Sequence, residues 1–221
     1  MIFILPFLAI LIGFFLGKLL AGKISWAKHL LAFSGAFLLS ITVFEMLPEV
    51  FQAGNDHVGT AIMVGILLQI LLEYFSKGAE HGHVHLNTQK QQFPWILLIS
   101  LSVHAFIEGF PITSSKHVLW GVILHKIPIA IILSLYFIKA NFRTLHTIFF
   151  LVLFGMMTPL GSFLATHASI VQQQLEFVNA MAIGVFLHVS TTILFESSKD
   201  HRFNIAKLAI ILLGVVSAYF L

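Results

Sequence analysis

The sequence of 221 residues contains no cysteine, which excludes disulfide frameworks and thiolate metal sites. Charged residues make up only 10% of the chain and hydrophobic residues 58%, whereas soluble domains carry about 25% charged residues. So few polar side chains cannot cover the surface of a soluble globule. The twelve Lys and Arg residues are also too few, beside so much apolar chain, for a protein that binds nucleic acid. The composition therefore favours a polytopic membrane protein.

Long apolar stretches follow one another along the whole chain. A membrane-spanning helix needs about 20 mostly apolar residues to cross a hydrocarbon core of about 30 Å. We expect one all-α transmembrane domain over residues 1–221, with eight spans at 1–17, 30–48, 58–75, 93–112, 118–138, 147–166, 177–195 and 203–221. The first stretch lacks a basic start and a cleavage site, so we interpret it as a span rather than a signal peptide.

The basic residues are distributed unevenly among the predicted loops. Ten of the twelve fall in or beside the odd-numbered loops, one (Lys116) lies in the even-numbered loops, and Lys126 lies inside a span. Because loops rich in Lys and Arg stay in the cytoplasm, we expect the odd loops to be cytoplasmic and both termini to be extracellular or periplasmic.

The longest predicted loop, residues 76–92, is polar and contains alternating histidines. His81, His83 and His85 alternate with other residues in this stretch. Short histidine-rich tracts are typical of metal binding, so we expect transient metal binding in this cytoplasmic loop.

Ionisable side chains also occur inside the spans, where each costs about 2.5–3.5 kcal/mol near the membrane centre. His104 and Glu108 lie four residues apart in the fourth span, and therefore share one helix face. The fifth span contains His125 and Lys126. Two imidazoles and a carboxylate suit Zn²⁺, Fe²⁺ or Mn²⁺. The alternative is a structural ion pair between Glu108 and Lys126.

Prolines interrupt both of these polar helices, at Pro111 and Pro128. A proline removes a backbone donor and leaves carbonyl groups free, which is tolerated beside a polar cavity but not against lipid. Consecutive interrupted polar helices are typical of the binding site of a transporter.

At these residues the chain resembles the ZIP family of divalent-metal transporters. The fourth-span motif HAFIEG begins at His104 and the fifth-span motif HKIP begins at His125. Segments FEMLPE at 44–49, TPLG at 158–161 and GVFLH at 184–188 are similar to family motifs in the second, sixth and seventh helices.

The resemblance implies an eight-helix bundle with an inverted arrangement, homodimers, and transport of divalent metal toward the cytoplasm. It implies that His104, Glu108 and His125 ligate the transported ion, with zinc first and iron, manganese or cadmium as further candidates. The expected surroundings are the lipid bilayer of a bacterial inner membrane.

The chain departs from the family at four positions of the two-metal pattern. The family has an Asn where Ala105 stands, acidic residues where Lys126 and Ile129 stand, and a Glu where Thr158 stands. We therefore expect a mononuclear site in which the Lys126 ammonium supplies part of the missing second charge. A divalent ion and a protonated Lys126 would then face a single carboxylate, which leaves an excess of positive charge. Either water and backbone carbonyl groups stabilise this charge, or Lys126 releases its proton when the ion binds.

Four other polar residues are candidates for the transport pathway. Glu45 and Glu49, at the end of the second span, could attract cations at the outer side, or Glu49 could be a solvated helix end. His188 in the seventh span either lines the pathway or is a packed histidine. Glu196 is either an exit ligand or an interfacial residue.

Three functions remain open at this point. The first is metal transport, and the second is metal binding without flux, as in a membrane sensor or scaffold. The third is an intramembrane metallohydrolase, which would require a further ligand or base beside a bound water. We expect a transporter and no enzymatic activity.

Overall fold

A computed structural model describes residues 3–19, 24–54, 56–79, 93–196 and 205–221. The regular structure in these ranges is helical throughout, which confirms the all-α prediction. The α-helices are α1 (Leu5–Leu19), α2 (Ile24–Ile41), α3 (Leu47–Gln52), α4 (Val58–Ser76), α5 (Trp95–Glu108), α6 (Lys116–Lys139), α7 (Thr144–His167), α8 (Ser169–Gln173), α9 (Leu175–Glu196) and α10 (Ile205–Tyr219).

Six helical stretches in the described ranges are long and apolar enough to cross a membrane. They are Trp26–Gln52, Val58–Ser76, Trp95–Thr113, Lys116–Lys139, Thr144–His167 and Leu175–Phe195. The apolar helices α1 and α10 have 15 residues each, and at 1.5 Å per residue they extend only about 22 Å. Six of the eight predicted spans therefore correspond to helices that are long and apolar enough to cross a membrane. The first and last spans remain predictions.

The second span begins earlier than predicted, since α2 begins at Ile24, and two predicted span ends differ from the helices at prolines. The second span does not stop at Pro48, because a π-helical turn at Thr42–Met46 leads into α3, which ends at Gln52. Proline is accommodated at the first positions of α3, where its missing N–H is not needed. The α-helix of the fourth span stops at Glu108, and Pro111 begins a short 3₁₀ turn, since proline has no N–H to continue the helical bonding.

Four pairs of helices pack closely and run parallel: α1 with α6, α5 with α7, α4 with α9, and α2 with α10. The α4–α9 pair illustrates why glycine is needed. A Cβ at Gly65 would lie 2.0 Å from the carbonyl oxygen of Met181, and one at Gly184 would lie 2.0 Å from that of Ile62. Backbone-to-backbone contact of this kind is a common way for membrane helices to associate.

These pairs form two groups, which we call the α5–α6 group (α1, α5, α6, α7) and the α4–α9 group (α2, α4, α9, α10). The groups meet where α2 packs on α6 and where α4 packs on α5. An inverted exchange replaces α1, α2 and α4 by α7, α9 and α10 and swaps α5 with α6. It converts the α1–α6 pair into the α7–α5 pair and the α4–α9 pair into the α10–α2 pair, each within its own group. The pairing therefore agrees with the inverted arrangement that the family resemblance implies.

Most of the described basic side chains lie at one end of the bundle, which we call the basic end; Lys116 begins α6 at the opposite end, and Lys126 lies between the two ends. Phe93, just before α5, contacts His146 and Phe149 at the start of α7, so both helices begin at the same end. Helix α6 finishes there, and α1 runs parallel to it. The basic end carries Lys18, Lys77, Lys139 and Arg143. It corresponds to the side that the sequence predicts to be cytoplasmic.

Candidate metal site

Three candidate ligands converge between α5 and α6. His104 and Glu108 lie on α5 and His125 lies on α6, and their side chains are at most 1% exposed. Each contributes a ligand atom, and these atoms all lie within 4.8 Å of one another. No other group of three His, Cys, Asp or Glu residues in the described ranges meets the same test. A tetrahedral zinc ion with bonds of about 2.0–2.1 Å holds its ligand atoms about 3.3 Å apart, so small side-chain rotations would close the site.

Glu108 lies at the last residue of α5, where the helix contacts α7 directly. A Cβ at Gly109 would lie 2.3 Å from the carbonyl oxygen of Thr158. The α-helical bonding ends here because of Pro111, and the carboxylate therefore lies at a break in the helix. This is the kind of irregular backbone that membrane proteins tolerate only inside the protein or beside a cavity.

Both carboxylate oxygens of Glu108 have partners. Oε1 lies 2.9 Å from Nε2 of His104, and Oε2 accepts a hydrogen bond of 2.7 Å from Nζ of Lys126. Lys126 is 1% exposed, and its Nζ lies 5.0 Å from the ring centre of Phe154, which provides a cation–π contact. The ion pair that the sequence left open is therefore present, and it uses the same carboxylate as the candidate metal site.

The other departures from the two-metal pattern contribute no ligand atom to this cluster. Ala105 and Ile129 are buried within the hydrophobic core. Thr158 donates its hydroxyl to the carbonyl oxygen of Ala105 at 2.7 Å. These positions have packing and backbone roles in the structure.

A buried amide that sequence analysis did not identify touches the cluster. Gln69 of α4 is 0% exposed, and its Oε1 lies 3.0 Å from Nδ1 of His104. The sequence did contain a signal, since Gln69 and Glu73 lie four residues apart in an apolar span, as His104 and Glu108 do.

Glu73 forms a second acid–histidine pair that the sequence also did not reveal. Its Oε2 lies 2.5 Å from Nε2 of His188, and the two side chains are 22% and 19% exposed. His188 is therefore separate from the His104 cluster and belongs to the α4–α9 group, toward the basic end.

The opposite end of the bundle contains the two other predicted acids. Glu45 lies in the π-helical turn, accepts a hydrogen bond from the Ser115 hydroxyl, and lies 2.8 Å from Nδ1 of His117. Glu49 is exposed and lines a cavity of about 160 Å³ together with Glu176, Asn179, Pro111 and other residues. Glu49 thus faces a space rather than packing into the bundle.

Four predicted residues cannot be placed with the others. His81, His83 and His85 lie outside the described residues. Glu196 is the last residue of α9, and its side chain also lies outside what the structure describes.

The family model described as the ZIP zinc transporter matches residues 76–221. The matched segment is more than half of the chain and contains all three candidate ligands. Among curated proteins, no sequence matches the chain. The chain therefore belongs to the ZIP zinc transporter family and is an integral membrane protein of metal-ion transport.

Proposed function

We propose that the protein carries a divalent transition-metal ion toward the cytoplasm through a site formed by His104, Glu108 and His125. The convergence of two imidazoles and a carboxylate, fully buried on α5 and α6, is the observation that supports this proposal. The nitrogen and oxygen donors suit zinc first, and also iron or manganese, and cadmium is a further candidate. Water would supply the remaining ligands.

The site binds one ion in this proposal. Ala105 and Ile129 offer no donor atoms, the Thr158 hydroxyl is engaged with a carbonyl oxygen, and Lys126 brings a positive charge. A divalent ion beside Glu108 and a protonated Lys126 gives a local charge of about +2, which is costly at low dielectric constant. Lys126 therefore weakens binding and helps release the ion.

Lys126→Ala and Lys126→Glu test this role. We expect both variants to bind zinc more tightly than the wild type, with the larger gain in Lys126→Glu, because a repulsive charge is removed or reversed. Isothermal titration of the purified protein in detergent measures the affinity and the number of ions bound. Unchanged affinity in both variants would make Lys126 purely structural.

The proposed pathway connects the two ends of the bundle through this site. Glu45 and Glu49 would attract cations at the end opposite the basic end, where Glu49 lines the cavity. His188, paired with Glu73, and Glu196 would receive the ion toward the basic end. His81, His83 and His85 would bind it transiently after release.

The remaining features of the proposal concern assembly and topology. The lengths of the apolar stretches support eight spans, and the distribution of basic residues supports outward termini. The family resemblance supports both features and a homodimer, and the lack of cysteine with a compact helical core favours a bacterial inner membrane. Crosslinking of the protein in native membranes and labelling of cysteines introduced at each terminus would test these features separately.

Flux into proteoliposomes loaded with a zinc-sensitive dye tests the function directly. We expect zinc influx with the wild type and none with His104→Ala or Glu108→Ala. The matched control is His167→Ala, because His167 is an exposed histidine at the end of α7. Flux retained in both site variants would contradict the site assignment. Zinc binding without flux in the wild type would favour a sensor.

A further inference from the structure

We propose that Gln69 is a positioning residue for the metal site, because it fixes the orientation of the His104 imidazole. This inference rests on the proposed function. The three candidate ligands all belong to the α5–α6 group, whereas Gln69 projects from α4 of the other group. Its fully buried amide lies 3.0 Å from Nδ1 of His104, and Nε2 of the same ring lies 2.9 Å from Glu108.

The position of the amide determines which ring nitrogen faces the ion. A neutral imidazole carries one N–H, and the hydrogen bond made by one nitrogen determines the role of the other. When Nδ1–H donates to the amide oxygen, Nε2 presents its lone pair toward Glu108 and His125, where an ion would bind. Partners of this kind orient metal-binding histidines and increase their basicity.

An amide also suits the metal-free site. After a half-turn its NH₂ group donates to Nδ1, and Nε2–H then donates to the Glu108 carboxylate. Gln69 can therefore satisfy His104 with and without an ion. A carboxylate at this position accepts only from Nδ1–H, and an aliphatic side chain makes neither bond.

Helix α4 contacts α9 one turn before and one turn after Gln69. One turn earlier, Gly65 lies against the backbone of Met181, and one turn later, Glu73 pairs with His188. The amide therefore projects from a backbone that is fixed to α9. Its hydrogen bond to His104 connects the site to the second helix group.

Zinc titration and cobalt absorption of the purified full-length protein in detergent test the inference. We expect Gln69→Leu to lose about 10–100-fold in zinc affinity, as is typical for such partners, and to change the visible Co²⁺ bands. Gln69→Glu keeps a side-chain oxygen that accepts a hydrogen bond from Nδ1–H of His104. It should therefore have the zinc affinity and the Co²⁺ bands of the wild type. If Gln69→Leu does not fold, Gln69→Met replaces it, because methionine has a similar length and no amide. The same loss of zinc affinity and change in the Co²⁺ bands is expected.

Ser100→Ala is the matched control, because the Ser100 hydroxyl bonds the Leu72 carbonyl, one turn from His104 and across the same α4–α5 contact. We expect wild-type affinity in this variant. An equal loss in Ser100→Ala, or unchanged affinity and Co²⁺ bands in Gln69→Leu and Gln69→Met, would overturn the positioning role. A wrong assignment of the metal site would give a different result, because His104→Ala would then bind zinc as tightly as the wild type.

Discussion

Two of the acid–histidine pairs in this protein have similar contacts and different surroundings. His104 and Glu108 lie 2.9 Å apart and are at most 1% exposed. His188 and Glu73 lie 2.5 Å apart and are 19% and 22% exposed. The first pair is joined by His125 and Lys126, whereas no cluster of three metal-binding side chains forms around the second pair in the described ranges.

The comparison shows that a close His–Glu contact does not by itself make a metal site. A buried carboxylate has lost its hydration, and strong partners must compensate for this loss. Glu108 has such partners in Lys126 and His104, and a divalent ion could take their place. Glu73 is partly exposed, so water can share its charge. In the proposed function, the buried pair therefore binds the ion and the partly exposed pair passes it on.

Glu108→Gln should have the largest effect, because it leaves Lys126 buried without a counter-charge. Removing one partner of a buried ion pair costs about 3–5 kcal/mol of stability. Mutation of a residue that only orients a metal ligand typically lowers metal affinity by about 10–100-fold. Because Glu108 is itself a candidate ligand, its replacement should lower zinc affinity by more than this. Thermal unfolding in detergent and zinc titration measure the two effects.

The double variant Glu108→Gln/Lys126→Met separates the charge effect from the loss of a ligand. It should regain most of the stability, since replacing both partners of a buried pair is often close to neutral, but it should not regain zinc binding. Glu176→Gln, at an exposed acid of α9, serves as the control. Wild-type stability of Glu108→Gln would contradict the ion pair.

Gly65→Ala should have an intermediate effect, because the added Cβ would lie 2.0 Å from the Met181 carbonyl oxygen. The resulting shift of α4 from α9 should cost about 1–3 kcal/mol and separate Glu73 from His188. Gly59→Ala is the matched control, since a Cβ there would meet nothing within 4 Å beyond its chain neighbours and the backbone of its own helix. Equal unfolding temperatures for the two variants would disprove the close α4–α9 contact.

Glu73→Gln should have the smallest effect on stability, about 0–1 kcal/mol, because the pair is partly exposed. Zinc affinity should remain that of the wild type, whereas flux into proteoliposomes should decrease if the ion passes this pair. A large loss of zinc affinity would mean that the two pairs are coupled through α4, which carries both Gln69 and Glu73. Flux equal to that of the wild type would remove Glu73 from the pathway.

Much of the fold and part of the site could be predicted from local features of the chain. Apolar stretches of sufficient length predicted six helices that the structure contains, and the spacing of His104 and Glu108 placed them on one face. The π-helical turn before Pro48 was not predictable, since proline is compatible with both a span end and a continued helix. Gln69 and Glu73 were missed because their partners lie on other helices.

The sequence by itself determined the class of protein, since a chain with 58% hydrophobic and only 10% charged residues cannot form a soluble domain. It also determined the candidate ligands, because ionisable groups within spans are costly and need a function or a partner. Only the tertiary structure decided that His125 meets the α5 pair, that Lys126 binds Glu108, and that Gln69 contacts His104. Distances between helices depend on packing at residues such as Gly65 and Gly109, which no local pattern specifies.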